Sequence, residues 1–95
     1  MIELKPGGPK FALGGTYSTP GAIEALTPAE MQTFLSRHHR GDWGDLDEED
    51  KEANDQSLID GSRLLSAYHS AKGIKVWIIT EADRSATTVL LPSEY

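Results

Sequence analysis

Apolar and polar residues recur with two different periods along this chain, and the change of period divides it into a helical part and a strand-rich part. Within residues 28–40, Met31, Phe34 and His38 are spaced three and four positions apart, which places them on one helical face. From Arg63 onward the period is two, which is typical of β-strands. The pattern therefore predicts helices first and strands afterwards.

The helix over residues 28–40 has sequence signals at both ends. Thr27 and Glu30 have the spacing of a capping box, in which each side chain binds a free backbone amide of the first turn. Pro28 suits the first helical position, and Gly41 suits the position just after the last one.

A second helix is predicted over residues 47–59. Asp45 or Asp47 can cap it, the acidic residues that follow suit the positive end of the helix dipole, and Gly61 closes it. Its apolar face is thin and consists of Leu46, Ala53, Leu58 and Ile59. A helix with so little apolar surface depends on packing at its ends and turns its acidic flank to water.

Three strands follow, over residues 63–69, 74–80 and 87–91, and the short turns between them predict an antiparallel meander. Residues 10–13 are a candidate fourth strand, and residues 22–26 form a candidate helical turn. The predicted fold class is α+β, with two helices packed on a three- to four-stranded antiparallel sheet.

The bulk properties of the chain predict a small soluble protein. Its 95 residues allow one domain, over residues 1–95, and we expect residues 1–10 to be a flexible or irregular segment because prolines and glycines are frequent there. The absence of cysteine excludes disulfides, thiolate metal sites and cysteine nucleophiles. The sequence has no apolar run of the roughly 18 residues that a membrane span needs, and the N-terminus does not resemble a signal peptide. We therefore expect a cytoplasmic protein that does not insert into membranes.

Negative charge is concentrated in one segment. Residues 41–60 carry nine carboxylates and one lysine, a net charge of −8. The whole chain carries −6, so the other 75 residues carry the difference of +2. Such a patch attracts basic surfaces or hard cations. Direct nucleic-acid binding is disfavoured, because it needs clustered lysine and arginine.

The acidic segment does not match a calcium-binding loop. Counted from Asp45, the sixth residue is Asp50 and the twelfth is Gln56, where an EF-hand needs glycine and glutamate. The sequence also has no nucleophile elbow, phosphate-binding loop or dinucleotide fingerprint. We predict no catalytic residues, no metal site and no cofactor, and a non-enzymatic role is favoured. The alternative is a small metal-binding protein or hydrolase that uses the carboxylates of this segment with His39 and Arg84.

Trp43 has two interpretations. It lies between Gly41 and Gly44, which allow backbone conformations that other residues resist, so residues 41–44 predict a shaped turn. The favoured interpretation is a core residue between the helices, and the alternative is an exposed contact for a partner. His38 continues an apolar helical face, and we expect it to be packed inside.

These observations favour a protein-interaction module whose binding surface combines the acidic helix with the Gly-Asp-Trp-Gly turn. The predicted partner-binding residues are Asp42, Trp43, Asp45, Asp47, Glu48, Glu49 and Arg84. The partner would be a protein with a basic surface. Arg84 has a second interpretation, in which it pairs with the acidic segment and fixes its own loop to the sheet. A homodimer is a further alternative, since the predicted second helix has little apolar surface of its own.

Several short motifs between residue 20 and the C-terminus are familiar in combination. They are FLSRH at residues 34–38, GDWGD at 41–45, GSRLLSAY at 61–68 and KVWIITEADRS at 75–85. Together they resemble a group of short, uncharacterised bacterial proteins that are often associated with plasmids or phages. The resemblance implies an accessory protein of a mobile genetic element, and it carries over no catalytic residues.

Overall fold

The computed structural model describes residues 8–95. In chain order its elements are β1 (Gly15–Ser18), α1 (Pro20–Ala25), α2 (Pro28–His39), α3 (Glu48–Asp60), β2 (Leu64–His69), β3 (Lys75–Thr80) and β4 (Ala86–Leu90), followed by a 3-10 turn at Pro92–Glu94. The predicted α+β fold class is confirmed. The expected irregular segment 1–10 falls mostly on residues 1–7, which lie outside the described residues.

The sheet is mixed rather than antiparallel. Its strand order is β1-β4-β3-β2, and β2, β3 and β4 form the predicted antiparallel meander. β1 joins the other edge parallel to β4, with Gly15 opposite Ala86. The strand predicted at residues 10–13 is therefore wrong by several positions. At Gly14, where φ is 66°, the backbone passes so close to Ser85 that a Cβ atom would collide with it, and the chain enters the sheet only after this point.

The ends of the two longer helices agree with the sequence signals. Thr27 and Glu30 form the predicted capping box of α2, and Asp47 caps α3 by accepting a hydrogen bond from the amide of Asp50. Gly61 ends α3 in the left-handed region, with φ of 78°. Residues 8–95 form three α-helices where two were predicted, because the helical turn expected at residues 22–26 extends into the six-residue α1.

The main core lies between the sheet and the two helices α1 and α2. The ring of Phe34 stacks on that of Tyr68, with centroids 4.8 Å apart and planes 4° apart. The buried residues of this core are Ala22, Leu26, Phe34, Tyr68, Val76, Ile78 and Val89. α3 lies elsewhere, beside β2 at the edge of the sheet, and contributes no residue to this apolar core.

None of the helices within residues 8–95 has the length and apolar character that a membrane crossing requires.

Candidate protein-binding surface

The acidic turn, residues 41–45, is held against the outer edge of β2 by backbone contacts. The amide of Asp45 donates to the carbonyl of Ala67 over 2.7 Å, and the amide of Ala67 donates to the carbonyl of Trp43 over 3.2 Å. Gly44, with φ of 75°, lies between these bonds, and a Cβ atom there would collide with the Ala67 carbonyl. A glycine is therefore required for the turn to close this edge of the sheet.

Trp43 is a core residue, as the favoured interpretation predicted. Its side chain is 4% exposed and stacks on Phe11, with ring centroids 6.1 Å apart, while the ring of His38 meets it edge-on. The indole Nε1 donates to a carboxylate oxygen of Asp55 over 2.9 Å, which links the turn to α3. The inclusion of Trp43 among the partner-binding residues does not fit this burial, because an enclosed indole offers no face to a partner.

The two aspartates of the acidic turn each have a cationic or ionisable neighbour. Asp42 accepts two hydrogen bonds from the guanidinium of Arg37, at 2.7 and 3.3 Å, and these hold the pKa of its carboxyl below the usual range. Asp45 lies 2.7 Å from Nδ1 of His69 on β2. Both carboxylates reach water, but each already has a nearby cationic or ionisable group.

The carboxylates near the start of α3 form fewer contacts with cationic groups than those of the acidic turn. Asp47 caps the helix, and Glu48 lies 3.8 Å from the ammonium of Lys51 with 88% of its side chain exposed. Glu49 and Glu52 are exposed, and in the described part of the chain neither forms an ion pair. These residues form a solvent-facing acidic surface.

Polar contacts attach α3 to the sheet. Asn54 is 6% exposed, and its amide group donates to the carbonyl of Leu65 over 2.6 Å and accepts from the Leu65 amide over 3.1 Å. The side chain thus pairs with the edge of β2 as a neighbouring strand would. The predicted apolar face of this helix is wrong in part, since Ala53 and Ile59 are both exposed.

Arg84 lies at the other end of α3 from the acidic turn. Its guanidinium donates to the carbonyl of Ser57 over 3.0 Å and to that of Ser62 over 2.6 Å. Positive charge at these carbonyls stabilises the C-terminal end of the helix dipole, where α3 has no basic residue of its own. The alternative in which Arg84 pairs with the acidic segment is met only in part, since among the described residues its guanidinium binds backbone carbonyls and forms no ion pair with a carboxylate.

The predicted binding residues therefore fall into separate places. Asp42 and Asp45 lie on the acidic turn, and Asp47, Glu48 and Glu49 lie at the start of α3. Arg84 lies near its end, roughly 18 Å away by the length of a 13-residue helix. In addition, Ile59 is 81% exposed on the same helix. The sequence pattern predicts Ile59 on the apolar face of this helix, and its exposure contradicts that prediction.

A buried polar network was also missed. His38 is fully buried, with Nδ1 2.5 Å from the hydroxyl of Ser66 and Nε2 2.8 Å from that of Thr80. Thr80 in turn lies 2.7 Å from Thr87, which donates to the carbonyl of Leu13. Because Thr87 uses its proton there, Thr80 donates to Thr87 and accepts from His38 Nε2, and Ser66 donates to Nδ1. This assigns a neutral histidine with its proton on Nε2.

The Ser66 and His38 pair has the donor and acceptor order of a nucleophile and its general base. Both side chains are 0% exposed, however, so no substrate reaches them in this fold. The network is structural, and it agrees with the prediction that His38 is a packed histidine. Its sequence signal was the histidine at the last apolar position of the helical face.

Within residues 8–95, no three histidine or acidic side chains are grouped so that they could hold a metal ion. No protein-family model, no curated protein and no solved structure matches this chain.

Proposed function

We propose that this chain is a non-enzymatic binding module whose outer α3 surface contacts a basic region of another protein. The observation that carries the proposal is the way α3 is attached. Asn54, Arg84 and the bond from Trp43 to Asp55 hold the helix by hydrogen bonds, so its exposed side is left for solvent or a partner. That side carries Glu49, Glu52 and Ile59.

The chemistry of that surface favours a protein partner. Exposed carboxylates at Glu49 and Glu52 lie on the same helix as Ile59, which is 81% exposed. Glu52 precedes Ile59 by seven positions, a spacing that places the two on one helical face. An apolar contact with charged residues around it is the usual composition of a protein interface, in which the charges accelerate encounter and select the partner.

The same surface disfavours nucleic acid as the direct ligand. Phosphate backbones need clustered lysine and arginine, and on α3 the only cation, Lys51, lies beside Glu48. The resemblance to plasmid- and phage-associated proteins supports a role as an accessory protein of a mobile genetic element, acting in the cytoplasm. A basic protein of the host or of the element is the partner class that this charge would select.

Affinity purification with charge-reversed variants tests the proposal. The double variant Glu49→Lys and Glu52→Lys changes the exposed surface and leaves Asp47, the helix cap, in place. Glu24→Lys, on the exposed surface of α1, is the matched control. The tagged proteins are incubated with host extract, and bound proteins are identified by mass spectrometry and then measured by calorimetry at increasing salt.

We expect the wild type and Glu24→Lys to retain the same basic proteins and the double variant to lose them. Affinity should fall as salt rises, since screening weakens contacts between exposed charges. Unchanged partners after the double reversal would sink the proposal. Heat released on titration with divalent ions alone would instead favour the metal-binding alternative.

A further inference from the structure

The two edges of the sheet differ in how their backbone groups are satisfied. At β2, the acidic turn pairs with Ala67 and the side chain of Asn54 pairs with Leu65, so this edge is closed. At β1, the described residues provide pairing on one side alone, through β4. Proteins generally protect exposed strand edges with charges, prolines or covering segments, because an open edge is a template for another strand. β1 contains Gly15, Thr16, Tyr17 and Ser18, and none of them is charged or proline.

We propose that β1 is a self-association strand, which pairs antiparallel with β1 of a second copy about a two-fold axis at Tyr17. This goes beyond the proposed function, because it involves the opposite edge of the sheet from α3.

The direction of the free backbone groups follows from the register with β4. The amide of Gly15 donates to the carbonyl of Ser85, and the amide of Thr19 donates to the carbonyl of Val89. In a parallel ladder alternate residues bond to the same neighbour, so Thr16 and Ser18 direct their amides and carbonyls away from the sheet. Antiparallel pairing of Thr16 with Ser18 of the second copy would form two backbone hydrogen bonds. By symmetry, Ser18 would pair with Thr16 of the second copy and form two more.

The side chains of β1 are compatible with this arrangement. Tyr17 would face Tyr17 of the second copy as a pair without hydrogen bonds between their backbones, in which side chains approach most closely. Tyr17 is 60% exposed, so its ring has area to bury. A groove of about 160 Å³ also runs between β1 and α2, lined by Thr16, Tyr17, Ser18, Met31 and Leu35.

The charge distribution permits a second copy at the β1 edge and disfavours one at the β2 edge. A chain of net charge −6 repels its copies, but the acidic segment lies beyond β2, at the far edge of the sheet. Pairing through β1 creates eight strands in a row, with the two β2 strands seven spacings apart. At about 4.8 Å per spacing this is roughly 34 Å, several times the Debye length at physiological salt. The two acidic helices therefore hardly repel each other.

Cysteine cross-linking tests the two-fold axis directly. The chain has no cysteine, so Tyr17→Cys introduces a unique thiol, and Ile23→Cys is the matched control at a side chain that is also 60% exposed. Facing residues in such a strand pair have Cβ atoms about 4.5–5.5 Å apart, close to what a disulfide requires. Under mild oxidation we expect Tyr17→Cys to form covalent dimers at least ten times faster than Ile23→Cys. Equal rates would overturn the proposal.

Charge substitutions at the same position provide a second readout. Tyr17→Lys and Tyr17→Glu should each be monomeric by sedimentation equilibrium at concentrations where the wild type and Ile23→Lys dimerise, and a mixture of the two Tyr17 variants should regain the dimer mass. Circular dichroism checks that each variant is folded. A wild type that stays monomeric up to roughly 1 mM, or a dimer that both Tyr17 variants leave intact, would rule out this interface. Binding of an added extended peptide at β1 by a monomeric wild type would assign the edge to a foreign strand instead.

Discussion

At Gly44 the backbone of the acidic turn comes closer to β2 than any side chain would permit. Its φ of 75° lies in the left-handed region, and a Cβ atom would also collide with the Ala67 carbonyl. Gly61 has nearly the same φ, 78°, but no heavy atom of the described residues lies within 4 Å of where its Cβ would be. Substitutions at the two glycines therefore distinguish the cost of a left-handed backbone from the cost of a steric collision.

We expect Gly61→Ala to lower the free energy of unfolding by about 1 kcal/mol, the cost of left-handed backbone for a residue with a side chain. Gly44→Ala should lower it by about 3 kcal/mol or more, because the collision also breaks the bonds between the turn and Ala67. Urea denaturation of both variants measures the difference. Equal losses would show that the turn can move away from β2 without consequence.

His38 makes stability depend on pH. Burial lowers the pKa of its imidazole to about 3, and the positive charges of His39 and Arg84 act in the same direction, whereas the ordinary value is 6.5. The unfolded state therefore binds more protons than the folded state between these two values. The contribution of neutral His38 to the free energy of unfolding is fully present above pH 6.5 and is lost as the pH falls toward 3.

Between pH 6.5 and pH 5, above the range in which the carboxylates titrate, we expect the free energy of unfolding to fall by up to about 1.4 kcal/mol per pH unit. His38→Gln, which cannot titrate, should be less stable at pH 7 but nearly independent of pH across this window. Urea denaturation at half-unit intervals compares the two proteins. Parallel pH profiles would show that His38 is not the group responsible.

α3 illustrates how an element can be held by polar contacts rather than by an apolar face. Asn54 is buried and makes two hydrogen bonds to Leu65, and the helix contributes nothing to the main apolar core. If the amide and carbonyl of Leu65 lose Asn54 as their partner, leaving them buried and unpaired costs more free energy than the two hydrogen bonds contribute to stability.

Asn54→Ala should therefore destabilise the protein by about 2–3 kcal/mol, although alanine has the higher helix propensity. Gln56→Ala, on the exposed side of the same helix, is the control and should change stability by no more than about 0.5 kcal/mol. Hydrogen exchange of the Leu65 amide, measured by NMR, should accelerate in the first variant alone. Equal protection in both would contradict the role of Asn54.

The elements differ in how far the sequence could predict them. The ends of α2 and α3 follow from local signals, namely the capping box at Thr27 and the glycine at position 61. β1 does not, because four uncharged residues between glycine and proline show no period, and their place in the sheet depends on a contact with Ser85. The carboxylates of the candidate binding surface follow directly from the sequence, because residues 41–60 are strongly acidic. The burial of Asn54 and the exposure of Ile59 depend on the rotation of α3, which its weak apolar pattern does not determine.

On the scale of the whole molecule, the acidic segment depends on residues distant in sequence. Arg84 is 27 positions from Ser57 and 22 from Ser62, the two residues whose carbonyls it binds at the end of α3. Carboxylates three and four positions apart repel one another along the same helix. Without the turn between β3 and β4, this helix also loses the cation that binds the carbonyls at its C-terminal end.

The order of folding should reflect this dependence. We expect the β2–β4 meander to form early because its pairings are local, and α3 to dock later because its C-terminal contacts need Arg84. The contacts of α3 should then be absent from the transition state. We expect Arg84→Met to accelerate unfolding severalfold with little change in the folding rate, in stopped-flow experiments that follow the fluorescence of Trp43 and Trp77. Lys75→Met is the control, because it removes an exposed cation of β3 that forms no ion pair among the described residues. A proportionate slowing of folding in Arg84→Met would mean that the acidic helix belongs to the folding nucleus.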